Sequence, residues 1–164
     1  MAITNVPMIK KDFVYNDTCE FACFLAKDQG KTVGRIQAVL SRPSNKKTGE
    51  KRIRFTRFDC IKNEEVARAL FNAVENFAIS RGMDTVCGPL GFSDLEREGL
   101  LIEGFNELST FEEQYNFEYY GELIENLGYN KEVDWTESKI FAPKEGEAEM
   151  QKMADFVMKR YNLH

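Results

Sequence analysis

The side chains able to do chemistry in this 164-residue chain are few in kind and unevenly spread. Four cysteines, Cys19, Cys23, Cys60 and Cys87, sit inside apolar or strand-like runs, and none belongs to a Cys-x-x-Cys pair. Cys19 and Cys23 lie four apart on an expected strand, about 13 Å at the usual rise per residue. That is too far to share one ion, and a zinc site needs about four clustered Cys or His ligands. No metal site is expected, and the thiols read as buried and reduced. The single histidine is the last residue, His164, which removes most acid–base schemes that run through imidazole.

Charge offers a different chemistry. Arg42, Lys46, Lys47, Lys51, Arg52, Arg54 and Arg57 form a basic block that could meet phosphate, on nucleic acid or on a phosphorylated cofactor. The plainer reading is a solvated loop followed by the outer face of a strand. The first 89 residues carry 15 basic and 10 acidic groups, net +5, whereas the rest carry 7 and 17, net −10. The acidic second half argues against a dedicated DNA or RNA binder, and no aromatic stacking platform accompanies the block.

The element that must position any site is Arg52–Pro89. Ile53 and Phe55 alternate with polar neighbours, as in a half-buried strand. Asn63 then supplies a helix cap, and Glu64 and Glu65 occupy the first turn, where acids suit the helix dipole. Val66, Leu70, Ala73, Val74 and Phe77 recur at helical spacing, and Arg81-Gly82 closes the helix. Asp84 to Cys87 is the next strand. A strand–helix–strand crossover of this length sets its two strands parallel, with a ligand cleft expected at their carboxyl ends.

Around this unit, Glu20–Ala26 and Thr32–Ser41 read as a hairpin, and Gly34 marks a bulge or a close backbone approach. Residues 1–19 show no sustained period and read as an irregular lead-in, and Pro43–Gly49 as a polar loop. Ser93–Glu96 could cap a short helix, and 99–105 is a strand or a packed loop. Tyr119–Asn126 is helical, with Gly128 as its stop. Tyr129–Phe141 reads as a further strand. A last amphipathic helix falls within 145–162, its Met150, Met153, Ala154 and Val157 face expected to pack as core. The length suits a single domain over 1–164. No run approaches the ~18 apolar residues of a membrane span and no leader pattern is present, so a cytoplasmic protein without a membrane partner is expected.

This element order is that of the GNAT acyltransferase superfamily. The stretches 24–40 (FLAKDQGKTVGRIQAVL), 57–93, 99–105 (GLLIEGF) and 115–129 (YNFEYYGELIENLGY) resemble a family of GNAT-like bacterial proteins, over roughly residues 20–141. The resemblance implies an α/β fold with a mixed, mostly antiparallel sheet and a central crossover helix. It also implies that the superfamily's usual N-terminal strand and two helices are missing, since the lead-in is too short for them. An uncovered edge would then favour homo-oligomers.

The activity implied is transfer of an acetyl or other acyl group from acyl-CoA to a small-molecule amine. Contacts to that cofactor would come from the Phe58, Asp59 and Cys60 backbone and from the turn of Lys62, Asn63 and Ala67. In the superfamily's Q/R-x-x-G-x-G/A pattern, Lys62 falls at the first position and Ala67 at the last, but Glu65 stands at the first Gly. The family's catalytic Tyr position is Ile124. Tyr120 could serve only by another geometry, and Glu103 and Asp94 are the carboxylates nearest the presumed cleft. Two readings stay open: an N-acyltransferase, or a GNAT-like module that binds a ligand or protein without catalysis.

Overall fold

The computed structural model describes residues 1–6, 12–110, 113–141 and 146–163. They divide into two compact units, Met1–Asn130 and Lys131–His164. The first holds five strands, β1 (Ala2–Val6), β2 (Cys19–Asp28), β3 (Lys31–Ser41), β4 (Arg52–Cys60) and β5 (Thr85–Cys87). They form one sheet in the order β1-β2-β3-β4-β5. Its helices are α1 (Arg42–Thr48), α2 (Glu64–Ile79) and α3 (Tyr119–Asn126). Neighbouring strands run antiparallel except β4 and β5, which are parallel across the α2 crossover. The expected mixed, mostly antiparallel sheet is thus the one observed.

Alternation along the strands sends one set of side chains to α2. Ala22, Phe24, Ile36, Ala38, Leu40, Ile53 and Phe55 join Val66, Leu70, Phe71 and Val74 in the main core. The opposite face carries a smaller cluster of Cys19, Val39 and Phe92, with Phe13, Tyr15 and Phe21 against it. Gly34 meets both of its expected readings. A Cβ there would lie 2.8 Å from Cys60 Cβ and 2.9 Å from Leu70 Cδ1. The β2–β3 register also shifts beside it, at Ala26/Lys27.

A second irregularity sits in β4. Gln37 pairs with Thr56 and Arg35 with Asp59, so β4 uses three residues where β3 uses two. The extra residue falls at Arg57, whose φ is +52°, a left-handed value uncommon outside glycine. The bulge resets the alternation, so Phe58 and Cys60 return to the α2 core. Thr56 and Asp59 are left on the other side. β5 pairs only with Arg52–Arg54. The chain then turns at Gly88, where a Cβ would lie 2.3 Å from Phe55 O, makes one bond from Leu90 N–H to that oxygen (2.8 Å) and leaves. Among the described residues, no strand lies beyond β4 on that side from Thr56 onward.

Several expectations change. Ala2–Val6, read as irregular lead-in, is an edge strand paired to Cys23–Lys27, so an N-terminal strand is present. Its exposed polar positions hide the period. Residues 7–11 of the same lead-in lie outside the described residues. Pro43–Gly49, read as a loop, is helix α1, capped by Ser41 and ended by Gly49 at φ +75°. Tyr129–Phe141 forms no strand.

In the second unit, α4 (Glu147–Tyr161) is a helix as expected, its bounds falling inside 145–162. Its methionine face is not core: Met150 and Met153 are 57% and 69% exposed. Among the described residues no helix is long and apolar enough to cross a membrane.

Candidate functional site

The edge that β5 leaves open is finished by α3. Tyr119 and Tyr120 stand at its start in the run YNFEYYGELIEN, and their hydroxyls take the place of a strand neighbour. The Tyr119 hydroxyl donates to Cys60 O (2.8 Å), and Cys60 N–H donates to Tyr120 Oη (3.3 Å). Tyr120 in turn donates to Asp59 Oδ1. Its ring is 4% exposed and packs on Phe58 at 5.2 Å between centroids.

Beside this edge lies a cavity of about 570 Å³. Arg35 and the 56–59 segment of β4 line one side, residues 95–97 a second, and 114–117 with Tyr120 a third. Buried Asn116 fixes the last wall. It accepts from Leu101 N–H (2.8 Å) and donates to Leu101 O (3.2 Å) and Phe117 O (3.0 Å). This settles 99–105 as a packed loop tied down by an amide.

Burial governs the protons here. It pushes the Tyr120 phenol well above its ordinary value, and the bond to Asp59 adds to the shift. Burial also raises Tyr119. The Cys60 thiol is pushed up to about 12, first by burial and then by the Asp59 charge. All three keep their protons at neutral pH, so Cys60 is no thiolate nucleophile. Burial raises Glu98 too, with Asp94 the next cause and Arg54 opposing.

Two ion pairs border the cavity, Arg35–Asp59 at 3.7 Å and Arg57–Glu96 at 3.6 Å. Glu96 also accepts from Phe92 N–H (2.9 Å). Among the described residues Arg97 has no ion-pair or hydrogen-bond partner.

The turn into α2 is closed instead. Asn63 Oδ1 accepts from Val66 N–H (3.2 Å), and Asn63 O accepts from Ala67 N–H (3.1 Å). Ala67 is fully buried. Glu64 pairs with Arg68 at 2.7 Å, and Glu65 stands exposed in the same turn. Lys62 Nζ lies 5.9 Å from the centre of the Tyr119 ring. None of residues 61–67 lines the cavity. A cap already filled by Asn63, with two acids in the first turn, does not fit a pyrophosphate.

Of the residues expected from sequence, Phe58, Asp59 and Tyr120 come together on the cavity, with Cys60 behind them. Lys62, Asn63 and Ala67 stay at the turn. Glu103 and Asp94 are exposed and outside the lining. Ile124 packs against the core. Sequence reasoning missed Arg35, Glu96, Arg97 and Asn116. It grouped Arg57 with a block that the fold disperses. Arg42 pairs with Glu20, Arg52 with Glu50, and Arg54 donates to Gly91 O and Ser44 Oγ. The positive φ of Arg57 was the local oddity that could have singled it out, but only coordinates reveal it. Among the described residues, no group of three or more His, Cys, Asp or Glu is placed to hold a metal ion.

Two curated relatives resemble this chain. Protein YghO of Escherichia coli (strain K12) is 30% identical over 146 residues, covering 85% of this chain and 36% of the relative. Bacterial ceramide synthase of Caulobacter vibrioides (strain NA1000 / CB15N) is 31% identical over 119 residues, covering 72% of this chain and 31% of the relative. The chain therefore spans about a third of the length of the curated relatives it matches. No family model matches it, and no solved structure does.

Proposed function

We propose that this chain carries the amide-forming region of a GNAT-like N-acyltransferase, joining the acyl group of a thioester to an amine. The observation that carries this reading is the open edge of β4, where Asp59 and Tyr120 share a cavity at the carboxyl end of a parallel strand pair. The relative named for ceramide synthesis supports it, because ceramide is an N-acylated long-chain amino alcohol. A long-chain amino alcohol is accordingly the first acceptor to try, and Leu95 and Phe117, exposed beside the cavity, offer its chain an apolar rim.

In this reading the amine nitrogen attacks the thioester carbonyl, and the C–S bond breaks as the C–N bond forms. Asp59 takes the proton that the amine loses, and the released thiolate takes up a proton and leaves as free thiol. Tyr120 holds Asp59 through Oδ1, so that Oδ2, on the Arg35 side, is the oxygen left to act. Because burial keeps Tyr120 protonated, the phenol positions the carboxylate and does not itself take up the proton. The turn at 62–67 plays no part.

Incubation with an acyl thioester and an amine panel, with amide product read by mass spectrometry, tests the proposal. Wild-type chain should form amide. Asp59→Asn should lose at least about a hundredfold of that rate, the usual scale for a general base. Full activity in Asp59→Asn would sink this assignment of the base.

A second reading, a binding module without catalysis, is favoured by one observation: the α2 turn is closed by its own residues and acidic. Ligand binding with no amide formed from any amine would select it.

A further inference from the structure

The anion-holding element of this domain is not where a strand–helix turn would put it. We infer that the cavity on the open edge of β4 binds a phosphoanion through Arg35, Arg57 and Arg97, and that the N-terminus of α2 does not. This rests on the amide-forming reading insofar as the phosphate belongs to that reaction's thioester donor or to its amine acceptor.

Three arginines from three separate segments line this cavity: β3, the β4 bulge and the 95–97 wall. Against them stand two carboxylates, Asp59 and Glu96, both already held by other donors. Asp59 accepts from Tyr120, and Glu96 accepts from Phe92 N–H. The arginines are held far less firmly. At 3.7 and 3.6 Å their ion pairs are longer than a charge-assisted hydrogen bond, and the Arg35 and Arg57 side chains are 61% and 59% exposed. Exposed pairs of this kind contribute little. The guanidinium groups can therefore turn to a ligand without leaving either acid stranded.

Arg97 has no partner to give up among the described residues. The planar fork of Arg suits phosphate oxygens. Arg57 is delivered there by a residue held at positive φ inside a bulge, a feature that re-aims a side chain at some conformational cost. At α2, by contrast, Asn63 occupies the cap and Glu64 and Glu65 repel an anion.

Calorimetry with inorganic pyrophosphate at low salt is the direct test. Wild-type chain should bind, Arg97→Ala and Arg57→Ala should each weaken binding by about tenfold or more, and Arg97→Lys should recover only part. Glu65→Gly should leave affinity within about twofold, since its turn is outside the site. Circular dichroism melting confirms that each variant is folded. No binding by wild type at millimolar pyrophosphate overturns the inference. So does tightening by Glu65→Gly while the arginine variants bind normally.

Competition then separates the sources. Displacement of pyrophosphate by coenzyme A assigns the site to the donor, and displacement by O-phosphoethanolamine assigns it to the acceptor. Displacement by neither overturns the assignment of the site to donor or acceptor and leaves anion binding by the arginines standing. Amide formation without pyrophosphate binding removes the anion site and leaves the acyl-transfer reading standing. Pyrophosphate binding without amide formation from any amine does the reverse.

Discussion

Two regions flank Cys60, and they treat their polar groups in opposite ways. On the α2 side, the capping contacts are local: Asn63 caps Val66, Glu64 reaches Arg68, and the first helical N–H bonds fall within four residues. On the β4 edge, the partners come from far along the chain. Cys60 meets Tyr119 and Tyr120 across 59 and 60 positions, and Arg57 meets Glu96 from the loop beyond β5. The turn is capped from within by Asn63, and its two acids oppose an anion. The edge is satisfied only in part, and what remains are exposed, loosely paired guanidinium groups, a carboxylate and a cavity. The proposed anion site accordingly rests on incompletely paired polar groups, not on proximity to a helix end.

The comparison can be tested by its floor first. Phe71 is 1% exposed and touches both Phe55 and Phe58, so it supports turn and edge alike. Phe71→Ala should cost about 3–5 kcal/mol in denaturant unfolding. A loss under about 1 kcal/mol would mean the two regions do not share this core.

Gly34→Ala acts from the sheet side. Its new Cβ would press on Cys60 Cβ, Leu70 Cδ1 and, at 3.1 Å, Asp59 O, all beside the edge. We expect about 1–3 kcal/mol of destabilisation, the usual cost of overpacking. Pyrophosphate affinity should fall with it.

Tyr120→Phe separates the regions. It removes the acceptor for buried Cys60 N–H and the donor to Asp59, and should cost about 1–3 kcal/mol. Amide formation should fall as Asp59 loses its support. Asn63→Ala removes one cap and should cost about 1 kcal/mol without changing pyrophosphate affinity. A change in affinity there would undo the claimed separation of turn and edge.

The smallest effect is at the far end of α2. Glu20 is held below the ordinary carboxylate range, chiefly by its hydrogen bond from Arg42, with burial opposing and Arg81 assisting. A depressed folded pKa means the unfolded chain binds the proton more readily. Glu20 thus contributes stability above its unfolded value, and that contribution is lost as pH falls through the folded one. Melting temperature against pH from about 6 down to about 3 should fall less steeply in Glu20→Gln than in wild type. Parallel curves would assign the pair no role.

These contrasts also divide what could be read in advance from what could not. Helix α2, its Asn63 cap, the β2–β3 hairpin, the parallel β4–β5 pair and the tight approach at Gly34 were all legible. Each depends on side-chain period or on a conformational preference within a few residues. Strand β1 was missed because an exposed edge strand carries no strong apolar alternation, and its ladder to β2 is what makes it a strand. The Met150 and Met153 face was misread because amphipathic spacing states that a face is apolar, not what covers it. Glu103 and Asp94, expected beside the presumed cleft, are exposed and outside the cavity lining, because the path of a long loop is not encoded in local spacing.

What the sequence by itself determined is the β2–β3 hairpin, the β4–α2–β5 unit and the capping of the α2 turn, since periods, caps and first-turn acids act over a few residues. What only the tertiary structure decided is the cavity. The β4 bulge at Arg57, the early departure of β5 and the return of Tyr119 and Tyr120 bring Arg35, Asp59, Glu96, Arg97 and Tyr120 together. Those residues are separated by up to 85 positions, and no local preference encodes contact over that span. Long-range packing fixes it, because the backbone groups of β4 that β5 abandons must find partners elsewhere in the fold.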